Sequence, residues 1–238
     1  MFIEGVRRAK NKWRIGVAVL LGLIIVSLVL SFAFFGSSIG GAADSAPSDI
    51  LGSAEYTAEA AAEAVKGAEG DMTVLGQAAS AYLSLAAYQV LYMEDPTKAY
   101  KEALKYAEEM VAACGSTEAA DYNTAYGYVL QANAGLGDAA ALSTAFNASL
   151  DVVTIDESYI NAYYNYMDAL GATEQFMNDM ETVKAILEPL AEDAPAEDEA
   201  TEEDIENPGD SGTPAAVLDY IEELLVAAKV EVATSDEE

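Results

Sequence analysis

The stretch Tyr159–Gly171, YINAYYNYMDALG, puts four tyrosines within eight positions. Two readings compete for it: an aromatic box around a ligand, or a helix packed against its neighbours. Spacing separates them. Tyr159, Tyr163, Tyr166 and Leu170 recur at steps of four, three and four, which places them on one helical face. Ala162 and Ala169 flank that face and let another helix approach closely. Ile160, Tyr164 and Met167 form a second strip. A helix that is apolar on two sides is expected to be sandwiched between two others. Tyrosine suits the position, because its ring can be buried while its hydroxyl reaches the rim.

The same double patterning recurs upstream. Tyr100, Leu104, Ala107, Val111 and Cys114 make one stripe, and Ala99, Ala103, Tyr106 and Met110 make another. From Asp71 to Leu190 apolar residues return at three- and four-residue steps, and no alternating β-branched run or Asn-Gly turn interrupts them. The spacing predicts an all-α region with helices over about 72–92, 96–115, 117–135, 138–151, 157–170 and 173–190. Asp95 is the expected N-cap of the second, with Pro96 in its first turn. Gly115 and Gly171 are suited to left-handed helix ends. The short breaks MEDPT, GLGD and LGATE join the helices in pairs, and short connections make the partners antiparallel. The expectation is a stack of about three helical hairpins starting near residues 72, 117 and 157.

On the N-terminal side, residues 36–54 are rich in Gly, Ser and Ala and read as a tether. The alanine-rich stretch after them reads as a short helix lying against the domain that spans 55–190. On the C-terminal side, residues 191–212 carry ten acids, two prolines and no base, a composition expected to form a disordered loop. A helix is then predicted over 213–230, with Thr213 as N-cap and Pro214 next. Its apolar face, Val217, Tyr220 or Ile221, Leu224 and Ala228, needs a surface to cover, and capping the end of the stack is the expected role.

The segment Ile15–Phe35 holds 21 residues without a charge. At about 1.5 Å per residue it reaches roughly 32 Å, enough for a hydrocarbon core of about 30 Å. Arg7, Arg8, Lys10, Lys12 and Arg14 precede it and Trp13 stands at headgroup level. The reading is a transmembrane signal anchor, with residues 1–14 as a cytoplasmic tail and the rest of the chain extracytoplasmic. Cleavage after the apolar run, at GGAAD, is the alternative.

Composition narrows the function. The 238 residues include no histidine and one cysteine, Cys114. This excludes a serine–histidine triad, a Cys/His metal cluster and an intramolecular disulfide. Residues 1–35 carry a net +4, whereas residues 36–238 carry six lysines against 40 acids, a net −34. Such a polyanion repels phosphate backbones, so nucleic acid is not an expected partner. Weak, diffuse cation association is expected of it, as is a tolerance of saline or alkaline surroundings. No catalytic, cofactor or metal site is expected. Pairs such as Glu108–Glu109, Glu202–Glu203 and Glu222–Glu223 read as solvated faces, and the spaced ligands of an EF-hand are absent.

The chain resembles the tetratricopeptide-repeat family. AYGYVLQANAGLGDAAALSTAFNASL, Ala125–Leu150, carries the resemblance, with Tyr126 and Phe146 at the aromatic positions, Val129 at the leucine position and Gly137-Asp138 at the turn. AYYNYMDALG and AYLSLAAY echo its first helix. Leu130 and Leu142 stand where that family has small residues, Ser149 replaces an alanine, and the spacing exceeds 34. The layout of basic tail, single span and repeat-like exterior is similar to the ancillary subunit of the bacterial secretion translocon.

The resemblance implies a scaffold for protein–protein interaction in the cell envelope. Tyr126, Tyr128 and Tyr164 are the candidate lining of a partner groove. A released surface protein and an acidic-residue envelope enzyme are the alternative functions.

Overall fold

The computed structural model describes residues 47–115, 119–192 and 213–235. The predicted cytoplasmic tail, the apolar segment 15–35 and most of the acidic loop lie outside them. The described residues form eight helices and no strand: α1 Pro47–Gly67, α2 Met72–Leu91, α3 Thr97–Ala113, α4 Ala119–Leu136, α5 Ala139–Ser149, α6 Glu157–Ala169, α7 Thr173–Glu192 and α8 Pro214–Ser235. None of these helices is long and apolar enough to cross a membrane.

Local chemistry sets the boundaries. Asp71 Oδ1 accepts from the N–H groups of Thr73 (2.9 Å) and Val74 (3.2 Å), starting α2. Asp95 Oδ1 accepts from Thr97 N–H at 3.0 Å, Asp156 Oδ1 from Tyr159 N–H at 2.7 Å, and Thr213 Oγ1 from Ala216 N–H at 3.3 Å. Each bond satisfies a donor that the first turn leaves without an intrahelical partner.

Three helices end alike. Paired turn bonds close α2 (Met93 N to Val90 O, Glu94 N to Gln89 O), α4 (Gly137 N to Ala134 O, Asp138 N to Asn133 O) and α6 (Gly171 N to Asp168 O, Ala172 N to Met167 O). This is the Schellman arrangement, and its key residue adopts a left-handed conformation. Gly137 and Gly171 supply it at φ of 75° and 67°, but α2 uses Met93 at φ 60°. A left-handed L-residue costs about 1–2 kcal/mol. A glycine there loses about 0.5–1 kcal/mol of extra backbone entropy on folding. Met93→Gly is therefore expected to stabilise the protein by about 0.5–1 kcal/mol, read as a higher urea midpoint at unchanged slope.

The chain divides into two compact units at Asp138/Ala139. In the first, α1 packs on α2, α2 on α3 and α3 on α4, while α2 also touches α4. The seams are lined with alanine. Ala58 of α1, Leu85 and Ala86 of α2 and Ala99 of α3 form one cluster, with Ala54, Tyr82 and Tyr100 against it. Leu83, Ala103 and Ala132 form the next, with Tyr100, Leu104 and Tyr128 around them. Small side chains bring the helix axes close, and tyrosines fill the gaps.

At Gly135 in α4 a methyl group would overlap the Tyr100 ring. Gly135→Ala sets a gain of about 1 kcal/mol in helix propensity against an overpacking cost of about 1–3 kcal/mol. A net loss of about 1 kcal/mol is expected, and Tyr100→Leu in the same chain should recover most of it.

In the second unit α7 is central: it touches α5, α6 and α8, and α6 also touches α8. Phe146 of α5 stacks on Tyr163 of α6, with centroids 3.8 Å apart and planes 5° from parallel, and on Tyr159 at 5.8 Å. Tyr163 meets Phe176 of α7 at 6.0 Å. Ile160, Tyr163, Met167, Phe176, Met180 and Val183 are fully buried, so each strip of α6 has residues in the core, whereas Tyr164, Tyr166 and Leu170 are half-buried. Helix α8 buries Val217, Ile221, Leu225 and Ala228. Its inward face therefore passes through Ile221, with Tyr220 and Leu224 only half-buried.

Two expectations need correction. Residues 47–54, read as tether, belong to α1: Pro47 opens it with Asp49 in the first turn, and Ala54 packs on the first cluster. Burial against α2 offsets a composition that by itself favours a linker. The middle hairpin expected over about 117–151 is divided between the two compact units. Helix α4 buries Val129, Leu130 and Ala132 in the first, whereas α5 buries Leu142, Phe146 and Leu150 in the second.

Candidate functional site

Helix α7 buries Phe176, Met180, Val183 and Leu187 along one stripe, and Asp179 lies within it. That side chain is 4% exposed. An isolated buried carboxylate is costly unless it is hydrogen-bonded, and this one is held by neutral donors from three helices. Its Oδ1 accepts from Ser143 Oγ at 3.0 Å and Asn147 Nδ2 at 2.8 Å, both on α5. Gln175 Nε2, one turn earlier on α7, donates to the same oxygen at 3.2 Å. The Tyr163 hydroxyl of α6 donates to Oδ2. Burial, followed by the bond to Asp179, pushes the Tyr163 phenol far above its ordinary range, so it remains a donor throughout the working pH range.

Chemically the cluster is a closed latch. Ser143 Oγ donates to Asp179 and also receives Gln175 Nε2 at 3.1 Å. Its side chain is 7% exposed and Tyr163 is fully buried, so neither oxygen is open to a substrate. Below it, Ser149 Oγ donates to Phe146 O and pairs with Tyr159 OH, each at 2.6 Å. The polar ends of the stacked tyrosines are thus tied to α5 and α7.

The three candidate groove tyrosines are all half-buried. Tyr126 and Tyr128, two positions apart on α4, point to different sides of it. Tyr128 lies against Gly76, shares a hydrogen bond with Ser80 and borders the Leu83–Ala103–Ala132 cluster. Tyr126 lies near Tyr122 and Cys114. Tyr164 belongs to the second unit, where its ring leans on Phe176 at 5.0 Å and 59°.

Other sequence features resolve simply. Asn147 matches a glycosylation sequon, but its amide donates to Ser143 O at 3.0 Å as well as to Asp179. Cys114 is buried, which raises its thiol pKa, and its carbonyl accepts from Tyr122 OH at 3.0 Å. Glu108, Glu109, Glu222 and Glu223 are exposed. Among the described residues no group of three Asp, Glu or Cys side chains is placed to hold a metal.

The Asp179 cluster was not legible beforehand. Its one local signal is an acid three residues after Phe176 and next to Met180, inside an apolar stripe. Gln175 is one turn away, but its other partners come from positions 16 to 36 residues away.

Compared with protein-family models, with curated proteins and with solved structures, the chain matches none. The described residues define an all-helical fold in two compact units.

Proposed function

We propose that the chain is a membrane-anchored extracytoplasmic scaffold that binds another protein of the cell envelope through a tetratricopeptide-like array of helices. One observation carries the reading: the packing order in the two units. In the first, α2 packs on α3, α3 on α4, and α2 touches α4; in the second, α6 packs on α7, α7 on α8, and α6 touches α8. Each leading helix thus meets its own partner and the helix after it. That is the neighbour rule of stacked hairpins, which present extended surfaces for recognition.

The anchor is Ile15–Phe35, and the five preceding cations set its orientation. A secretion or envelope-assembly complex is the setting this layout supports best, with Tyr126, Tyr128 and Tyr164 as first candidates for partner contact. Affinity capture in mild detergent, with a tag after Glu238, tests the reading. A protein partner should be recovered above a control carrying only residues 1–46, and Tyr126→Ala should lower its recovery. Recovery equal to that control would overturn the scaffold. An intact mass lacking Ile15–Phe35 would overturn the anchor.

A further inference from the structure

Where α2 ends, the first unit exposes apolar side chains that it has no internal reason to expose. Val90 is 37% exposed, Leu91 52% and Met93 96%, and half-buried Tyr88 and Tyr92 stand among them. Met93 holds the turn's left-handed position, which a glycine would occupy with less strain. A strained backbone position carrying a fully exposed apolar side chain suggests a role for that side chain outside the fold.

The place of this turn in the unit identifies what it meets. The four-residue break 68–71 makes α1 and α2 antiparallel neighbours, and Ala58 of α1 lies level with Leu85 and Ala86 of α2. Eleven residues back along α1 lies Pro47, about 16 Å away, and seven residues on along α2 lies Met93, about 10 Å away in the same direction. Met93 is therefore at the end of the unit where the chain enters from the apolar segment. Eleven residues, 36–46, separate Phe35 from Pro47, and such a stretch reaches at most about 38 Å.

Charge agrees with position. Residues 88–101 contain Glu94 and Asp95 balanced by Lys98 and Lys101, a net of zero, within a region 36–238 of net −34. With Asp49 in the first turn of α1 as the further acid at this end, an anionic bilayer repels the turn less than it repels the chain as a whole.

We propose that the turn Val90–Met93 dips into the bilayer interface, with Leu91 and Met93 among the acyl-chain ends of the headgroups and Tyr88 and Tyr92 at headgroup level. The proposal rests on the anchored reading given above. The tether holds the turn at high local concentration near the surface, so a few side chains suffice. Contact would fix how the first unit stands on the membrane.

The test uses the full chain in vesicles of phosphatidylcholine and phosphatidylglycerol at 7:3, with Cys114→Ser and a nitroxide on Met93→Cys. Glu69→Cys, at the opposite end of the α1–α2 hairpin, serves as control. Expected is that dissolved oxygen relaxes the label at 93 and an aqueous nickel chelate does not, while the label at 69 shows the reverse. Adding Leu91→Asp should return the label at 93 toward the aqueous pattern without changing flotation.

A label at 93 as open to the chelate as that at 69, in chains that float with the vesicles, overturns the contact and leaves the anchor standing. A label shielded from both relaxers means a protein occupant and overturns it too. A chain that does not float removes the anchor and the contact together.

Discussion

Asp179→Ala is expected to lower the stability of the second unit by about 3–5 kcal/mol. Removing the carboxylate leaves the hydroxyls of Ser143 and Tyr163 buried without their acceptor, at about 1–3 kcal/mol each. The amides suffer less: Gln175 is exposed and turns to water, and Asn147 keeps its bond to Ser143 O. Tyr163→Phe should cost about 1.5–3 kcal/mol, since the carboxylate keeps three of its four donors. The double variant should fall short of the sum by more than about 0.5 kcal/mol, because both changes break one bond. Hydrogen exchange of α5–α7 amides measures the three values. An Asp179→Ala chain exchanging like the parent would show that the latch contributes nothing.

The cluster also gives a pH dependence. Burial raises the Tyr163 phenol above its unfolded value of 10.0. Tyr82, Tyr100, Tyr126, Tyr128 and Tyr220 are raised as well, again first by burial. A phenol that ionises more readily unfolded than folded contributes stability that is complete below about pH 10 and is lost as the pH rises beyond it. Stability should therefore decline above pH 10, and less steeply in Tyr163→Phe. Whatever alkaline tolerance the acidic composition provides ends there.

Ile221→Asp is expected to have the other large effect. Ile221 is fully buried at the centre of the inward face of α8, between Val217 and Leu225. Placing an unpaired carboxylate there combines the loss of a buried aliphatic, about 2–5 kcal/mol, with the desolvation of a charge. The opposing interactions of α8 are modest: the one ion pair between it and α7 among the described residues, Lys184 Nζ to Glu222 Oε1, spans 3.7 Å with the Glu222 side chain 67% exposed. The helix should leave α7, so trypsin would cut at Lys229 and Lys184 while leaving α1–α4 intact. Cleavage at the parent rate would mean that α8 is not held by this face.

Much of the helical layout was readable because its signals are short-range. Asp71 and Asp156 cap the helices they precede, Asp95 accepts from Thr97 N–H although Pro96 is the N-cap of α3, and Gly137 and Gly171 end the helices they follow, each through bonds spanning two to five residues. The two-sided stripes of α3 and α6 announced burial on both faces, and Tyr159, Ile160, Tyr163 and Met167 are buried accordingly. Met93 escaped notice because nothing in MEDPT marks a methionine for the conformation that glycine takes elsewhere. Residues 47–54 escaped because a Gly/Ser/Ala composition describes a tether and a helix start equally well until Ala54 finds α2.

The sequence by itself determined that the described chain is helical and where most helices begin and end, since capping, turn chemistry and a 3.6-residue period act over a few neighbours. Which helices share a core was decided only in three dimensions. GLGD and LGATE close α4 and α6 with the same pair of backbone bonds, yet one lies at a boundary between units and the other joins two helices of one core. Likewise Asp179 is one acid among 41 in the text. It becomes the centre of a latch only when α5 and α6 bring Ser143, Asn147 and Tyr163 to it, because burial and hydrogen-bond partnership depend on residues far apart in the chain.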